Sequence, residues 1–529
     1  MISNALTLPD NIEGLKEKVI SLAESNSHFE VENNILREQV RLLRAQLFGR
    51  KTEKHSLVSD NGQTLLFNEA EEFSPAEEEV KEDVEIKAHN RKKHGRKPLP
   101  EDLPRVDVIH DLSEEEKECA CGCIKSCIGK EVSEQLDIIP AKIQVIRNIR
   151  LKYVCKDCEG VEADEPAVKI APLPEQLIPK SIATPGLLAH VLTGKFVDAL
   201  PFYRQESQFR RLGIALPRST MCGWAMKVAG KCEPLLELLN KEIRSGPLIN
   251  IDETTVQVMK EPDRSNKTKS YMWIYRGGDP DRPALVYQYH PTRSGDVVSE
   301  YLKGYQGYVQ SDGFSGYDFI DHNPDIIHVG CWAHARRKFV DVVKASGNRK
   351  SVKGRTGNAE KAIQYIKKLY AIEKKAAERE FTYKEIYEER LKYAKPILDM
   401  FKAWLDEISP KTPPKSLLGK AVSYTLNQWD RLEGYLKDGR LRPDNNLAEN
   451  AIRPFVVGRK NWLFSGHPRG AKASAALYSL IESAKSNDLE PYAYLRFLFE
   501  RLPLARSRDD YKALLPNRMM KDQMAFTLQ

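Results

Sequence analysis

Leu248-Ile-Asn-Ile-Asp-Glu-Thr-Thr-Val-Gln-Val-Met259 is the stretch on which the fold turns. It is mostly apolar up to Ile251 and mixes β-branched with polar residues beyond it, as a buried strand does where it reaches an open edge. Ser270-Tyr-Met-Trp-Ile-Tyr275, Ala284-Leu-Val-Tyr-Gln-Tyr289 and Gly307-Tyr-Val-Gln310 follow, short, aromatic or β-branched, and separated by polar turns. Consecutive hairpins are the natural reading, so a strand-rich hub is expected over 248–350.

Helical patterns surround this hub. Upstream, Pro185-Gly-Leu-Leu-Ala-His-Val-Leu192, residues 201–212 and residues 218–229 read as three helices, with Ser219 or Thr220 as N-cap of the third. The tight turn at Leu212-Gly213 suits a helix-turn-helix whose third helix enters a major groove, although a small helical bundle has the same spacing. Downstream, helical material fills about 355–438, then comes a strand-like stretch over 459–464 and an alanine-rich helix over 471–484.

The N-terminal segment carries a heptad seam: Leu15, Val19, Leu22, Asn26, Phe29, Asn33, Leu36, Val40, Leu43 and Leu47 are spaced four and three alternately. Asn26 and Asn33 at a-type positions fit a register-fixed parallel dimer, and one amphipathic helix packed on its own protein is the other reading. Gly49 marks the stop. A linker follows, acidic over 69–85 and basic over 89–97. Six of the nine cysteines fall between 119 and 158, while Cys222, Cys232 and Cys331 are scattered. Residues 145–154 read as a strand leading into Cys155-Lys-Asp-Cys158, a structural-zinc knuckle; two of Cys119, Cys121, Cys123 and Cys127 would complete the site.

With 529 residues the chain has room for two to four domains. Its 41% hydrophobic content and 30% charged residues fit a folded protein, and a net charge of +7 permits nucleic-acid binding without demanding it. Neither a secretory signal pattern nor an apolar run long enough to span a bilayer is expected from the sequence.

Three separated carboxylates carry the chemistry. Asp252 ends the buried part of the first strand, Asp312 emerges from another into Asp312-Gly-Phe-Ser-Gly316, and Glu449 lies in a helix that Pro454 should limit. Strand-end carboxylates are held rigidly while their oxygens face a cleft, and such hard ligands suit Mg²⁺. A pair of ions about 4 Å apart activates the attacking oxygen of a phosphodiester and stabilises the departing one. On a regular strand only one of Asp252 and Glu253 can face the site. Arg453, Arg459, Lys460, His467, Arg469 and Lys472, broken by Gly458, Gly466 and Gly470, make a strip suited to DNA backbone. In Cys331-Trp-Ala-His-Ala-Arg-Arg-Lys-Phe339, Cys331 and His334 resemble half a metal site but read more simply as a buried thiol and a structural or DNA-facing histidine. Arg336, Arg337 and Lys338 bind phosphate or cap a helix. No complete Walker motif is present, and no serine or cysteine nucleophile with a convincing base is evident.

Phe48-Gly-Arg-Lys-Thr-Glu-Lys54, Gly95-Arg-Lys-Pro-Leu-Pro100, Val132-Ser-Glu-Gln-Leu-Asp137 and Lys152-Tyr-Val-Cys-Lys-Asp-Cys158 join Ile251-Asp-Glu-Thr254, Gln310-Ser-Asp-Gly-Phe-Ser-Gly-Tyr317, the Cys331–Phe339 block, Asn446-Leu-Ala-Glu-Asn-Ala-Ile-Arg-Pro454 and Gly458-Arg-Lys-Asn-Trp-Leu-Phe-Ser-Gly466. Together they resemble, nearly end to end, the DDE transposases of IS66-type insertion sequences. That resemblance implies a multidomain α/β chain with a ribonuclease-H-like core. It carries the family's three acidic residues onto Asp252, Asp312 and Glu449, which would hold Mg²⁺ or Mn²⁺, and implies structural Zn²⁺. The upstream cysteines depart from the family's Cys-x-x-Cys-Gly, reading Cys119-Ala-Cys-Gly122, so Cys123 or Cys127 can stand in for Cys119 or Cys121 as zinc ligand beside Cys155 and Cys158.

The expected organisation is coiled coil 1–50, linker 51–94, zinc module 95–163, helix-turn-helix-like domain 164–245, core 246–350, helical insertion 351–438, core 439–488 and tail 489–529. The expected partners are element ends and target DNA, a second copy through the coiled coil, and small accessory proteins of the same element, in the bacterial cytoplasm. A nuclease or resolvase that does not join strands and a non-catalytic DNA-binding regulator are the alternatives.

Overall fold

The computed structural model describes residues 12–48, 143–154, 168–170, 172–346 and 357–519. Its contacts divide the chain into two units, Ala76–Pro174 and the remainder. In the smaller unit, β1 (Lys152–Val154) pairs antiparallel with β2 (Val168–Ile170). The strand expected from Val145 is thus three residues long, and 143–151 have no regular structure. Cys119, Cys121, Cys123, Cys127, Cys155 and Cys158 lie outside the described residues.

In the larger unit, α1 (Ile12–Phe48) is one unbroken helix. Seven of its apolar seam residues, from Leu15 to Leu43, are 38–64% exposed. Four helices follow: α2 (Pro185–Phe196), α3 (Phe202–Arg211), α4 (Arg218–Lys231) and α5 (Glu233–Ser245). The N-cap of α4 is Pro217 rather than Ser219 or Thr220, because proline's fixed φ lets the helix start two or three residues earlier. Met221, Trp224, Ala225 and Val228 of α4 are buried in the same apolar cluster as the sheet.

The sheet is built from β3 (Leu248–Val258), β4 (Lys269–Asp279), β5 (Arg282–His290), then α6 (Gly295–Tyr301), β6 (Gly307–Gln310) and β7 (Ile326–Val329), with the two-residue β8 (Phe464–Ser465) pairing with β3. The order is β5-β4-β3-β6-β7. Hairpins join β3, β4 and β5, but β6 and β7 run parallel to β3, so the expectation of hairpins throughout fails there. The cause is α6, a crossover helix hidden in a polar stretch and capped by Ser294, whose hydroxyl accepts from the Asp296 N–H. Three antiparallel strands followed by two parallel ones make the sheet ribonuclease-H-like, as the resemblance implies.

From the end of β7 the chain enters α7 (Trp332–Ser346), then α8 (Asn358–Glu378), α9 (Tyr383–Glu389), a π-helical turn (Arg390–Ala394), α10 (Lys395–Ile408), α11 (Leu417–Asn427) and α12 (Trp429–Glu433). These helices enclose a second apolar cluster around Trp332, Phe401, Trp404 and Trp429, and α1 lies against α7 and α11. The chain returns to the sheet through α13 (Asn446–Trp462), β8, α14 (Pro468–Ser486), α15 (Pro491–Arg501) and α16 (Arg508–Ala513).

α13 runs straight through Pro454, which the sequence reading made a boundary. Proline forfeits one backbone bond, to the Asn450 carbonyl, and the buried face of Ala448, Ile452 and Phe455 outweighs it. For the same reason 459–462 are helical, and of the expected strand only Phe464 remains, paired with Ser465 in the two-residue β8. α14 covers the edge strand: Ser479 and Ser483 accept from the N–H groups of Tyr287 and Leu285 at 2.8 and 2.9 Å. Those donors would otherwise be unpaired. No helix among the described residues is long and apolar enough to cross a membrane.

Candidate active site

On the side of β3 facing away from β4, β6 pairs with residues 248–250 and β8 with 257–258. Between them, residues 251–256 meet no described strand, which leaves a notch in the sheet. Asp252 stands in this notch, opposite Ile274 of β4. Asp312 comes two residues after β6, and its Oδ1 accepts from the Phe314 N–H at 3.0 Å, fixing the turn. Glu449 is in the first turn of α13. That helix is pinned to the notch by Asn445, whose Nδ2 donates to the Ile251 carbonyl at 2.8 Å.

The three carboxylates are close enough to feel one another's charge. Burial raises the Asp252 pKa well above the carboxylate range, and the charges of Glu253, Glu449 and Asp312 add to it. Burial also lifts Glu449 to about 7, with Asp444 and Asp312 raising it and Arg337 and Arg453 opposing. A divalent cation reverses this balance by favouring the charged forms, and carboxylate oxygens are the hard donors that Mg²⁺ or Mn²⁺ takes. The donor chemistry therefore fits such an ion.

Glu253 faces different company. It is held by Arg293 and Tyr317, and the Arg293 guanidinium stacks 3.7 Å from the Phe314 ring centroid. The sequence reading missed this Glu253–Arg293–Tyr317 set, because Arg293 lies in a turn with no pattern of its own. It also missed Tyr424 of α11. A Cβ at Gly313 would stand 2.5 Å from the Tyr424 hydroxyl, so glycine beside Asp312 lets the helical block approach the turn.

Cys331 and His334 find their third partner in Glu449, 118 and 115 residues away in sequence. The Cys331 Sγ lies 4.0 Å and the His334 Nδ1 3.5 Å from Glu449 Oε1. These three ligand atoms fall within 4.8 Å of one another. Burial pushes the Cys331 thiol pKa well up, so the sulfur stays protonated; it accepts from the Asn445 N–H at 3.3 Å. Burial, with Arg337 and Lys338 nearby, holds His334 down to about 4, so its imidazole is neutral.

A Ser–His–Asp chain, unseen in the sequence, is also present. Ser311 Oγ lies 2.8 Å from His328 Nε2, and His328 Nδ1 lies 2.9 Å from Asp321, which Arg431 also holds. Ser311 is 0% exposed, so no substrate carbonyl can reach it, and the chain braces the turn before Asp312.

The basic residues separate. Arg337, Lys338, Lys460 and Arg469 are exposed, and Arg453 and Arg459 are half-buried. Arg459 donates to Thr255 Oγ1 at 2.9 Å on the notched stretch of β3. Arg336, expected at a DNA surface, is instead 8% exposed, because its position on α7 turns it towards Tyr370 of α8. Gly458 does not approach a ligand either: a Cβ there would meet the Tyr478 hydroxyl at 2.6 Å, so it serves helix packing. Gly466 and Gly470 face open space.

Comparison with known proteins agrees with this architecture. The profile described as "Transposase IS66 family" matches residues 180–473, and "IS66 C-terminal element" matches 479–517. "Zinc-finger binding domain of transposase IS66" matches 116–159, and "Transposase C of IS166 homeodomain" matches 35–108. Among curated relatives, the uncharacterized protein y4jD of Sinorhizobium fredii (strain NBRC 101917 / NGR234) is 33% identical over 440 residues, 80% of this chain and 82% of the relative. The uncharacterized protein y4qI of the same strain is 28% identical over 98% of each chain. With more than half its length matched by the family's transposase profile, this chain belongs to the IS66 family of transposases.

Proposed function

We propose that the chain cleaves DNA at the ends of an insertion sequence and joins the freed 3′ ends to target DNA, with Asp252, Asp312 and Glu449 as ligands of Mg²⁺ or Mn²⁺. The observation that carries this reading is the notch in the sheet, where the charge of Asp312 raises the proton affinity of both Asp252 and Glu449, and that of Glu449 raises Asp252 further. The bound ions would supply Lewis-acid activation of the attacking oxygen and stabilisation of the departing one. The chain's own residues do the rest. Asp252, Asp312 and Glu449 fix the ligand positions, while Arg337, Lys338, Arg453, Arg459, Lys460 and Arg469 place DNA backbone beside them. His334, neutral at physiological pH, stands 3.5 Å from Glu449 without adding charge.

The exposed seam of α1 supports pairing of two copies, so that both element ends are held together; a monomeric mass for the purified chain at micromolar concentration would refute that pairing. Cys155 and Cys158, with two upstream cysteines such as Cys119 and Cys121, would hold zinc in the 95–163 module, and α2 to α5 would serve end recognition. DNA and the accessory proteins of the element would be met in the bacterial cytoplasm.

The test is a gel assay with Mg²⁺, labelled element ends and target DNA. Cleavage with joined product is expected. Hydrolysis without joining would favour a nuclease. Unchanged activity in Asp252→Asn, Asp312→Asn and Glu449→Gln would point instead to a regulator.

A further inference from the structure

Three side-chain amides lie directly behind the three carboxylates. Asn250 precedes Asp252 by two residues on β3, Gln310 precedes Asp312 by two at the end of β6, and Asn445 precedes Glu449 by four at the start of α13. Two residues is the side-chain repeat of a strand, and four is about one turn of a helix. Asn250 therefore shares a face of β3 with Asp252, while Gln310 closes the strand that leads to Asp312 and Asn445 is the N-cap residue about one turn before Glu449.

The amides are bonded to one another and to the backbones that carry the carboxylates. Asn250 Nδ2 donates to Gln310 Oε1 at 3.0 Å and to Asn445 Oδ1 at 3.2 Å. Asn445 Nδ2 donates to the Ile251 carbonyl, in the peptide that leads into Asp252. Gln310 Nε2 donates to the carbonyls of Gly330 and Arg442 at 3.2 and 2.8 Å, reaching the segments on either side of the helical block. All three residues are 0–1% exposed.

We propose that Asn250, Gln310 and Asn445 are positioning residues that set the spacing of the carboxylates, an inference that rests on the metal-site reading above. An amide suits this place for a physical reason. It both donates and accepts, so three of them close a network across two strands and a helix without adding charge. A carboxylate there would deepen the repulsion, and a lysine or arginine would neutralise the ligands and compete with a cation. Mg²⁺ demands near-ideal octahedral geometry, so the tolerance on ligand position is small. A loosened amide layer should therefore penalise Mg²⁺ more than Mn²⁺.

The experiment uses the full chain and four variants: Asn445→Ala, the near-isosteric Gln310→Met, Asp252→Asn, and Leu398→Ala. The last removes a fully buried side chain of the helical block, on a helix that carries none of the carboxylates, and controls for lost stability. Mn²⁺ binding is followed by electron paramagnetic resonance, and end cleavage is measured in Mg²⁺ and in Mn²⁺. Asn445→Ala and Gln310→Met are expected to weaken Mn²⁺ binding about 10-fold or more and to cut Mg²⁺-supported cleavage further than Mn²⁺-supported cleavage. Leu398→Ala should lower the melting temperature and leave both readouts in place. If Asp252→Asn loses Mn²⁺ binding while Asn445→Ala and Gln310→Met behave like Leu398→Ala, the positioning role is refuted and the metal site stands. If Asp252→Asn binds Mn²⁺ as the unaltered chain does, the carboxylate site fails and the amide layer with it. Should Asn445→Ala not fold, Gln310→Met alone decides.

Discussion

Two of the buried charge clusters in the larger unit are built on opposite plans. In the helical block, Arg390 is 2% exposed, yet every face of its guanidinium is answered. Glu373 binds it through both oxygens at 2.8 and 2.6 Å, and the carbonyls of Tyr435, Asp438 and Leu441 accept at 2.7–3.0 Å. In the notch, Asp252 and Glu449 are buried among further carboxylates, and Arg337 and Arg453 oppose the rise in the Glu449 pKa without undoing the effect of burial. Folding tolerates a buried charge when opposite charge and hydrogen bonds surround it. A buried group whose neighbours share its sign is costly to the fold and serves some other end.

This contrast can be broken at several points. The largest effect is expected from Asp252→Asn or Glu449→Gln. Either should lower end cleavage by about 1,000-fold or more, the loss of several kcal/mol of transition-state stabilisation. The same variants should melt no lower than the unaltered chain in metal-free buffer at pH 8, by calorimetry. A clear drop in melting temperature would mean that these carboxylates are structural after all.

Arg390→Ala should cost about 3–5 kcal/mol, because it leaves Glu373 and three carbonyls facing a void. Urea unfolding measures it. A loss under about 1 kcal/mol would show that the compensated cluster contributes little.

A third test concerns pH. The Glu449 carboxyl titrates at about 7 in the folded chain against an ordinary 4.5, so the folded form holds its proton more tightly. Stability from this group is full below 4.5 and is lost as pH rises to about 7. His334 acts in the opposite sense: held down to about 4 from 6.5, it removes stability as pH falls through that window. Glu449→Gln should therefore match the metal-free chain near pH 4 and exceed it above pH 7, by on the order of 1–3 kcal/mol. A difference that shrinks as pH rises would reverse the assignment.

The smallest effect is expected from Lys402→Ala. It removes an exposed pair with Asp406 on α10, and should change stability by less than about 0.5 kcal/mol.

Much of the sheet was legible because its strands are rich in aromatic and β-branched residues; Gly307–Gln310 was placed to the residue. The direction of β6 was not, since α6 offers only seven residues in a polar stretch. Pro454 misled because the apolar face that carries α13 past it is recognisable only once its packing is known. That Asp252 ends the buried part of β3, that Asp312 follows β6 and that Glu449 is helical was legible from their settings, but their neighbours were not. Cys331 and His334 gave no sign of Glu449, because spacing in sequence carries no information about a contact more than 110 residues away. Asn250 left the faintest trace: one polar residue in the apolar run Pro247-Leu-Ile-Asn-Ile251.

The serines of α14 that cover β5 also impose an order in time. Ser483 closes a bond with Leu285 across 198 residues of chain, and Glu449 is made only shortly before it. At about 5–20 residues per second, a ribosome takes on the order of 10–40 s to span that interval. For most of it, between the making of Asp312 and that of Glu449, the nascent protein has its first two carboxylates, an uncovered strand edge and no third carboxylate. A chain released early has an edge open to aggregation or proteolysis and an incomplete set of acids. Arming of the site and completion of the sheet thus come within the same few dozen residues of synthesis.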